Sequence, residues 1–310
     1  MSSLIEQTLG FVIPIIPVFI YLYLASLGNS LVERSGILNL AIDGAYTLGV
    51  AVAFVTAVLL GNPTVALLTT SFTVGLLGVL IAFLTTKLPV SHGAVGLSMQ
   101  FVGYGAASFL AYPTSMRMAR ERLSLNTYLP TPEVILPFLT ASLAAGLALH
   151  LLIFRTKLGV AIRAVGENPA AASSLGTDVL RVRVLASFIG YLMIGAASST
   201  YILLYTKGWQ EGAGMGQGWI SFAISLSSGR HPLVGMLMSL VFASLIRYAY
   251  VLQDVLITYG INVSNYVVVA LPFTAAVAVP LIVSAIPQLR RRFSPPKSLG
   301  KIFFSEERSV

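Results

Sequence analysis

Apolar stretches of about twenty residues recur along the chain, separated by short polar segments. A helix of that length crosses a hydrocarbon core of about 30 Å and satisfies its own backbone there. The pattern therefore predicts an all-α, polytopic transmembrane helix bundle that forms a single domain over residues 1–310. Two or three passes are expected in 4–60; the further predicted spans, which bring the total to nine or ten, are 63–84, 94–112, 134–154, 184–206, a short 215–228, 233–252 and 266–286.

The composition supports the same class of protein. Hydrophobic residues make up 56% of the 310 residues and charged residues only 10%, with a mean hydropathy of +0.86. A soluble domain needs a far more charged surface. The chain has no cysteine, which excludes disulfides and thiolate metal sites.

Positive charge is concentrated in two segments. The net charge is +8, and eleven of the nineteen lysines and arginines lie in 155–183 and in the tail 288–310. Short loops rich in Lys and Arg stay in the cytoplasm, so both segments are expected there, which requires 215–228 to cross the membrane. The polar segment 113–133 is expected outside despite its three arginines. Nucleic-acid binding is not expected, because the basic residues lack interleaved aromatic residues.

The segment 155–183 contains the signals of a short helix. Asn168 is a suitable N-cap, Pro169 suits the first helical position, the alanines 170–172 propagate a helix and Gly176 ends one. A short exposed helix with small side chains suits docking into a groove of another protein. The alternative is an ordinary solvated loop between two spans.

Four polar side chains follow one another closely at the end of the first apolar stretch. Glu33, Arg34, Asn39 and Asp43 lie where polar groups are costly unless they face the bundle or a water-filled path. They indicate a broken or re-entrant helix that contributes to a transport path. The alternative is that Glu33 pairs with Arg34 and that Asp43 caps a helix.

Glycine-punctuated segments occur in both halves of the chain, at Gly28–Gly49 and Gly208–Gly235. Paired interrupted segments are typical of inverted-repeat transporters with a central path. Close helix packing is the alternative role of these glycines, as for Gly212 and Gly216.

Polar or aromatic side chains inside apolar spans are candidates to line such a path. Hydroxyl groups of a nucleoside or sugar need hydrogen-bond partners, and a ring needs an apolar or aromatic surface. The candidate path residues are Asn39, Asp43, Ser98, Gln100, Trp219, Ser221, Phe222 and Ser225. The three histidines, His92, His150 and His231, are scattered and do not predict a metal site.

Sequence motifs of catalysis are missing. The chain has no G-x-x-x-x-G-K-[ST] phosphate loop, no nucleophile elbow and no metal-ligand helix. We therefore do not expect an enzyme, and any ATP hydrolysis that drives transport has to occur in another chain.

Four segments resemble the permease subunit of ABC importers in the ribose and branched-chain amino-acid transporter superfamily. They are LVERSGILNLAIDGAYTLG, GVAIRAVGENPAAASSLG, GMGQGWISFAISLSSGRHPLVG and PPKSLGK, in the order of the family. The closest resemblance is to nucleoside-type permeases that depend on a basic membrane lipoprotein. Two positions depart from the pattern: Asp43 stands where the signature E-R-x-G-x-x-N-L-x-x-E-G has glutamate, and Ser91-His92 stand where Asn-Gln is frequent.

The resemblance implies a type II-like importer permease with ten spans, two broken-helix inverted halves and cytoplasmic ends. It implies that 155–183 is a coupling loop that engages a cytoplasmic ABC ATPase, which binds ATP and Mg²⁺; this chain needs no cofactor. It implies two further partners, a second permease subunit of different sequence and an extracytoplasmic substrate-binding lipoprotein. The coupling residues matched to the family are Arg163, Gly166, Glu167, Asn168, Pro169, Ala171 and Gly176.

The leading hypothesis is thus the permease subunit of a nucleoside importer in a prokaryotic plasma membrane. Simple sugars and branched-chain amino acids are the alternative substrates. A second hypothesis is an ion-coupled carrier that uses Asp43 and Glu33, and a third is a structural membrane protein.

Overall fold

The computed structural model describes residues 13–121 and 131–303. Every regular element in these two ranges is a helix, which confirms the all-α prediction. The helices are α1 Ile15–Arg34, α2 Ile42–Leu60, α3 Pro63–Lys87, α4 His92–Glu121, α5 Pro132–Arg155, α6 Lys157–Glu167, α7 Pro169–Ser174, α8 Val179–Thr200 with a π-helical extension Tyr201–Thr206, α9 Gln217–Ser227, α10 Pro232–Thr258, α11 Asn265–Ala285 and α12 Pro287–Arg292.

Eight of the described helices are long and apolar enough to cross a membrane: α1 to α5, α8, α10 and α11. The centre of the bundle is α1, which is buried along most of its length, whereas α11 lies at the periphery. Large apolar side chains are exposed on the outer helices, for example Phe109 on α4 at 80% and Val277 on α11 at 64%. Such a surface is stable in lipid and would aggregate in water.

One predicted boundary is wrong. The span predicted to end at 112 continues through Pro113 to Glu121, so most of the polar segment before residue 122 is helical. Arg117 and Glu121 form an exposed ion pair on this last part of α4, with a nitrogen–oxygen distance of 2.9 Å. The helix tolerates these charges because they lie at its exposed end. Residues 122–130, including Arg122, lie outside the described part of the chain.

The two basic segments lie at the same end of the bundle, as their charge predicted. The backbone N–H of Ser298 in the tail donates to the carbonyl of Gly166, at 3.1 Å, and Gly300 N–H donates to the carbonyl of Gly36 at the same distance. We call this end the basic end and define it by α6, α7, the segment 35–37 and the tail 287–303. At the other end, Ser108 on α4 donates to the carboxylate of Glu211.

Two helices begin inside the bundle. After α1 ends at the basic end, residues 35–41 are not helical, and α2 begins beside Gln100, about 12 Å along α4. After α8, residues 207–216 re-enter from the opposite end and lead into α9. The predicted broken helices are therefore present, and the two interruptions enter from opposite ends, as an inverted arrangement requires.

The short segment 215–228 does not cross the membrane as one helix. Its helix α9 has eleven residues, about 16 Å, and residues 207–216 supply the rest of the passage back to the basic end. With α9 included, the described chain makes nine passages. A tenth would depend on residues 1–12, which lie outside the described residues.

The packing of α2 against α4 gives a first prediction. A Cβ at Gly103 would lie 2.4 Å from the carbonyl oxygen of Gly44, whereas a Cβ at Gly105, on the same helix, would meet nothing within 4 Å. We expect Gly103→Ala to destabilise the bundle by about 1–3 kcal/mol through overpacking. Apparent melting temperatures in detergent will show a lower value for Gly103→Ala and an unchanged or higher value for the control Gly105→Ala. Equal melting temperatures would contradict the close contact.

Candidate functional site

The carboxylate of Asp43 lies where the two internal helix starts meet. It accepts hydrogen bonds from the backbone N–H groups of Gly216, at 2.9 Å, and Gly218, at 2.8 Å. These groups belong to the first turn of α9, which otherwise has no side-chain cap. A helix N-terminus carries partial positive charge and unpaired N–H groups, so a buried carboxylate stabilises it. The alternative that Asp43 caps a helix is confirmed, but the helix is α9, more than 170 residues away.

The loop before α9 adopts its shape because it is rich in glycine. Gly212, Gly214 and Gly216 have φ values of +78°, +90° and +87°, which side chains rarely allow. None of the three lies in a helix, so Gly212 and Gly216 do not form a small-xxx-small helix contact, although Phe273 of α11 packs closely on Gly216. Backbone N–H groups turned inward by such a loop form a concave surface for an anion. Here that anion is Asp43.

Three further side chains surround this carboxylate. The hydroxyl of Tyr104 on α4 donates to Asp43 and lies 2.9 Å from the side-chain amide of Gln100. With the amide oriented to satisfy its neighbours, Gln100 donates to the carbonyl of Leu40, at 2.8 Å, and accepts from the indole Nε1 of Trp219, at 3.3 Å. Tyr104 was not predicted from the sequence, although its position one helical turn after Gln100 was an available signal.

The remaining polar candidates are held by contacts within the bundle. Asn39 is buried between Asn29, at 2.9 Å, and the hydroxyl of Tyr191, at 2.5 Å. Ser225 bonds the hydroxyl of Ser30, at 2.9 Å. Ser221 donates to the carbonyl of Gln217, and Ser98 is exposed on α4. A role of these residues in a path stays a prediction.

Glu33 pairs with Arg230 and not with Arg34. The distance between the Arg230 Nε and a Glu33 carboxylate oxygen is 2.7 Å, and the two side chains are 4% and 0% exposed. Arg34 instead donates to the backbone carbonyls of Arg230, at 2.8 Å, and Gly229. The alternative of a Glu33–Arg34 pair is wrong because side chains one residue apart on a helix do not face each other. The observed pair joins the end of α1 to the turn between α9 and α10.

The short helix predicted in the basic loop is confirmed as α7. The Asn168 side chain accepts from the N–H of Ala171, at 3.0 Å, and Pro169 is the first helical residue. Gly176 has a φ of +88°, and the N–H of Thr177 bonds the carbonyl of Ala172, which is the helix-ending geometry that favours glycine. A second helix, α6, precedes it and was not predicted.

The exposed residues between Ala164 and Gly176 lie at the basic end, and we call them the coupling surface after the role that the family resemblance implies. Among the matched coupling residues, Arg163 and Pro169 are half-buried and Gly166 is buried. Leu175, which was not singled out from the sequence, is 88% exposed. The surface comprises Ala164, Glu167, Asn168, Ala170, Ala171, Ser174, Leu175 and Gly176.

The underside of the coupling surface is fixed to the break after α1. A Cβ at Gly166 would lie 2.1 Å from the carbonyl oxygen of Arg34, so the two backbones are in direct contact. The guanidinium groups of Arg34 and Arg163 lie 5.2 Å and 5.6 Å from the ring centroid of Phe154, a cation–π arrangement. Arg183 donates to the carbonyl of Ser35, at 3.2 Å. α6 is therefore packed directly against residues 34–36.

A cavity of about 1150 Å³ lies between α9, α11 and the tail. Its walls within the bundle are mainly apolar and aromatic, and arginines lie at its basic end. Of the predicted path residues, only Trp219 and Phe222 line it; Phe273, Arg290 and Arg291 line it as well and were not predicted.

The histidines do not form a metal site. His92 is buried and accepts from the N–H of Leu38, at 3.4 Å. His150 and His231 are neighbours, with ring centroids 5.2 Å apart, beside Phe154. Within residues 13–121 and 131–303, no group of three side chains is arranged to hold a metal ion.

An all-helical bundle with eight candidate membrane spans and two helices that begin inside it is the architecture of a membrane transport protein. A model of the family described as "Branched-chain amino acid transport system / permease component" matches residues 11–281. The chain belongs to this family. It is an ABC-type permease subunit, not a catalytic one, and a multi-pass protein of the prokaryotic plasma membrane.

The names of similar proteins refer to different substrates. The chain is 27% identical to "Uncharacterized protein MG121" of Mycoplasma genitalium, over 91% of this chain and 93% of that protein. It is 28% identical to the putative glucose ABC transporter permease protein TsgC13 of Haloferax volcanii, over 68% of each chain. It is 27% identical to the nucleoside ABC transporter permease protein NupC of Lactococcus lactis, over 71% of this chain and 76% of that protein. No solved structure matches the chain.

The buried ion pair gives a second prediction. Glu33→Gln leaves the charge of Arg230 buried without its partner, which costs about 3–5 kcal/mol. We expect a clear fall in the apparent melting temperature in detergent, together with weakened contact between α1 and the α9–α10 turn. The matched control is Glu121→Gln, the same change in an exposed pair, for which we expect no measurable shift. Equal shifts for both variants would show that the buried pair adds nothing to stability.

Proposed function

We propose that this chain is a membrane-spanning permease subunit of a nucleoside importer. In this proposal the cavity between α9 and α11 is this chain's half of the translocation path, and a second permease of different sequence closes it. An extracytoplasmic lipoprotein delivers the nucleoside. A cytoplasmic ABC ATPase, which binds ATP and Mg²⁺, drives transport through the coupling surface.

One observation carries the coupling part of the proposal. The coupling surface is exposed, and the helix beneath it contacts residues 34–36 through Gly166. A coupling element needs both a free surface for its partner and a rigid contact with the bundle. Residues 34–36 are in turn connected to the turn before α10 by the ion pair between Glu33 and Arg230. A partner that pulls on α7 therefore acts on both broken helices at once.

Two observations support a nucleoside as substrate. The cavity presents the aromatic side chains of Trp219, Phe222 and Phe273, which suit a planar base better than a carbohydrate alone. The chain also resembles NupC and, at 23% identity over 75% of its length, the guanosine ABC transporter permease protein NupQ of Bacillus subtilis. A simple sugar is the alternative, because TsgC13 matches a similar share of the chain.

The structure gives no support to an ion-coupled carrier. Such a carrier would need Glu33 and Asp43 free to bind an ion or a proton. Glu33 instead pairs with Arg230, and Asp43 accepts from two backbone N–H groups and Tyr104.

A third prediction tests the coupling surface. Leu175→Asp places a charge at the most exposed apolar side chain of that surface, where a docking partner would bury it. We expect at least a roughly tenfold loss of ATPase in pull-downs from membranes, with membrane insertion and melting temperature unchanged. The control is Tyr259→Asp, a comparably exposed side chain, at 80%, between α10 and α11 at the opposite end. Undiminished capture of the ATPase by Leu175→Asp would refute this assignment.

A fourth prediction concerns the cargo. Titration calorimetry on the cognate lipoprotein should show saturable binding of a nucleoside such as uridine or guanosine, and no heat with glucose, ribose or leucine. In cells, uptake of the same nucleoside should require this chain. If the lipoprotein bound a sugar and no nucleoside, the proposed cargo would be wrong, but the assignment of this chain as a permease would be unaffected.

A further inference from the structure

We propose that the end of the cavity deep in the bundle is a binding site for a planar heteroaromatic ring, with the face of Trp219 as its platform. This inference rests on the proposed function, since the base of a nucleoside is such a ring. The substrate would be recognised here through its base, and the sugar would contribute little.

Trp219 presents a surface that suits stacking. It lies in the first turn of α9, is half-buried and lines the cavity with Phe222, whose ring centroid is 5.8 Å from its own in an edge-to-face arrangement. Phe273 enters from α11 and packs over Gly216, next to the start of α9. A planar ring inside this cavity therefore meets aromatic side chains from two helices.

The polar edge of the indole is already used. Its Nε1 donates to the amide of Gln100, at 3.3 Å, so Trp219 has no hydrogen bond to offer a hydroxyl group. What remains available is the π face, which accepts any base and discriminates poorly among them. A site of this kind distinguishes nucleosides from sugars and aliphatic amino acids.

Tyr104 and Gln100 are positioning residues for this platform. In the orientation in which Gln100 accepts from Trp219, the amide oxygen of Gln100 lies 2.9 Å from the hydroxyl of Tyr104, whose single proton also faces the carboxylate of Asp43. Asp43 in turn holds the first N–H groups of α9. The same carboxylate thus fixes the helix that carries Trp219 and the side chains that orient its ring. Binding to a ring held in place loses less conformational entropy than binding to a mobile one.

The two tryptophans of the chain allow a direct test. Trp209 stacks on Phe54, with ring centroids 5.8 Å apart, outside the cavity lining. Trp209→Phe therefore leaves Trp219 as the sole tryptophan, and Trp219→Phe leaves Trp209. The full-length chain of each variant is placed in lipid nanodiscs and titrated with uridine, with excitation at the red edge of tryptophan absorption, where uridine absorbs little.

We expect saturable quenching in Trp209→Phe, none in Trp219→Phe, and none in either variant with ribose or leucine. Adding Tyr104→Phe to Trp209→Phe should raise the uridine concentration for half-quenching roughly fivefold, because the platform loses a hydrogen bond that positions it. A purely structural role of that hydroxyl would lower the melting temperature and leave the half-quenching concentration unchanged.

Equal quenching in both single variants, or none in Trp209→Phe, would overturn the ring site. The cargo test separates the two proposals. If the lipoprotein binds nucleosides and Trp219 is not quenched, only the ring site fails. If the lipoprotein binds a sugar and ribose or glucose quenches Trp219 as uridine does, the nucleoside cargo and the ring specificity fail together.

Discussion

A helix that begins inside a membrane leaves its first N–H groups without water, and Asp43 meets that constraint for α9. The carboxylate comes from the first turn of the other internal helix, α2, so each broken helix holds the other in register. A buried carboxylate would itself be costly, and the N–H groups and the Tyr104 hydroxyl offset that cost. The two halves of the inverted arrangement are therefore one unit, joined near the centre of the bundle.

A second junction lies at the basic end. Here an ion pair joins two segments, in place of the hydrogen bonds between a carboxylate and backbone N–H groups. Glu33, at the end of α1, meets Arg230, which has the left-handed φ of +59° in the turn after α9. Helix α6, beneath the coupling surface, contacts the same place through Gly166, and the tail bonds to Gly166 and Gly36. All four segments of family resemblance thus converge on residues 33–36. Segments far apart in the chain therefore meet at one place in the fold.

Local signals in the sequence predicted local structure well. The apolar runs located the spans, and the cap residues Asn168, Pro169 and Gly176 located α7, because helix ends depend on neighbouring backbone groups. The partner of Glu33 was not predictable in this way. Arg230 lies 197 residues away, and Arg34 stood beside Glu33 in the sequence. Tyr104 was missed for a related reason, since its role depends on a carboxylate brought in by α2.

The departure at Asp43 follows from the closeness of the two internal helices. A Cβ at Gly218 would lie 2.4 Å from the Cα of Asp43, so the start of α9 rests directly on the backbone of α2. At that separation a side chain with one methylene reaches the N–H groups of both Gly216 and Gly218. A glutamate carries its carboxylate one methylene further, so reaching the same two donors would require a folded rotamer or a shift of α9 away from α2. The short side chain of Asp43 and the absence of a side chain at Gly218 together allow α9 to start against α2. The position of Trp219 at the end of the cavity depends on both residues.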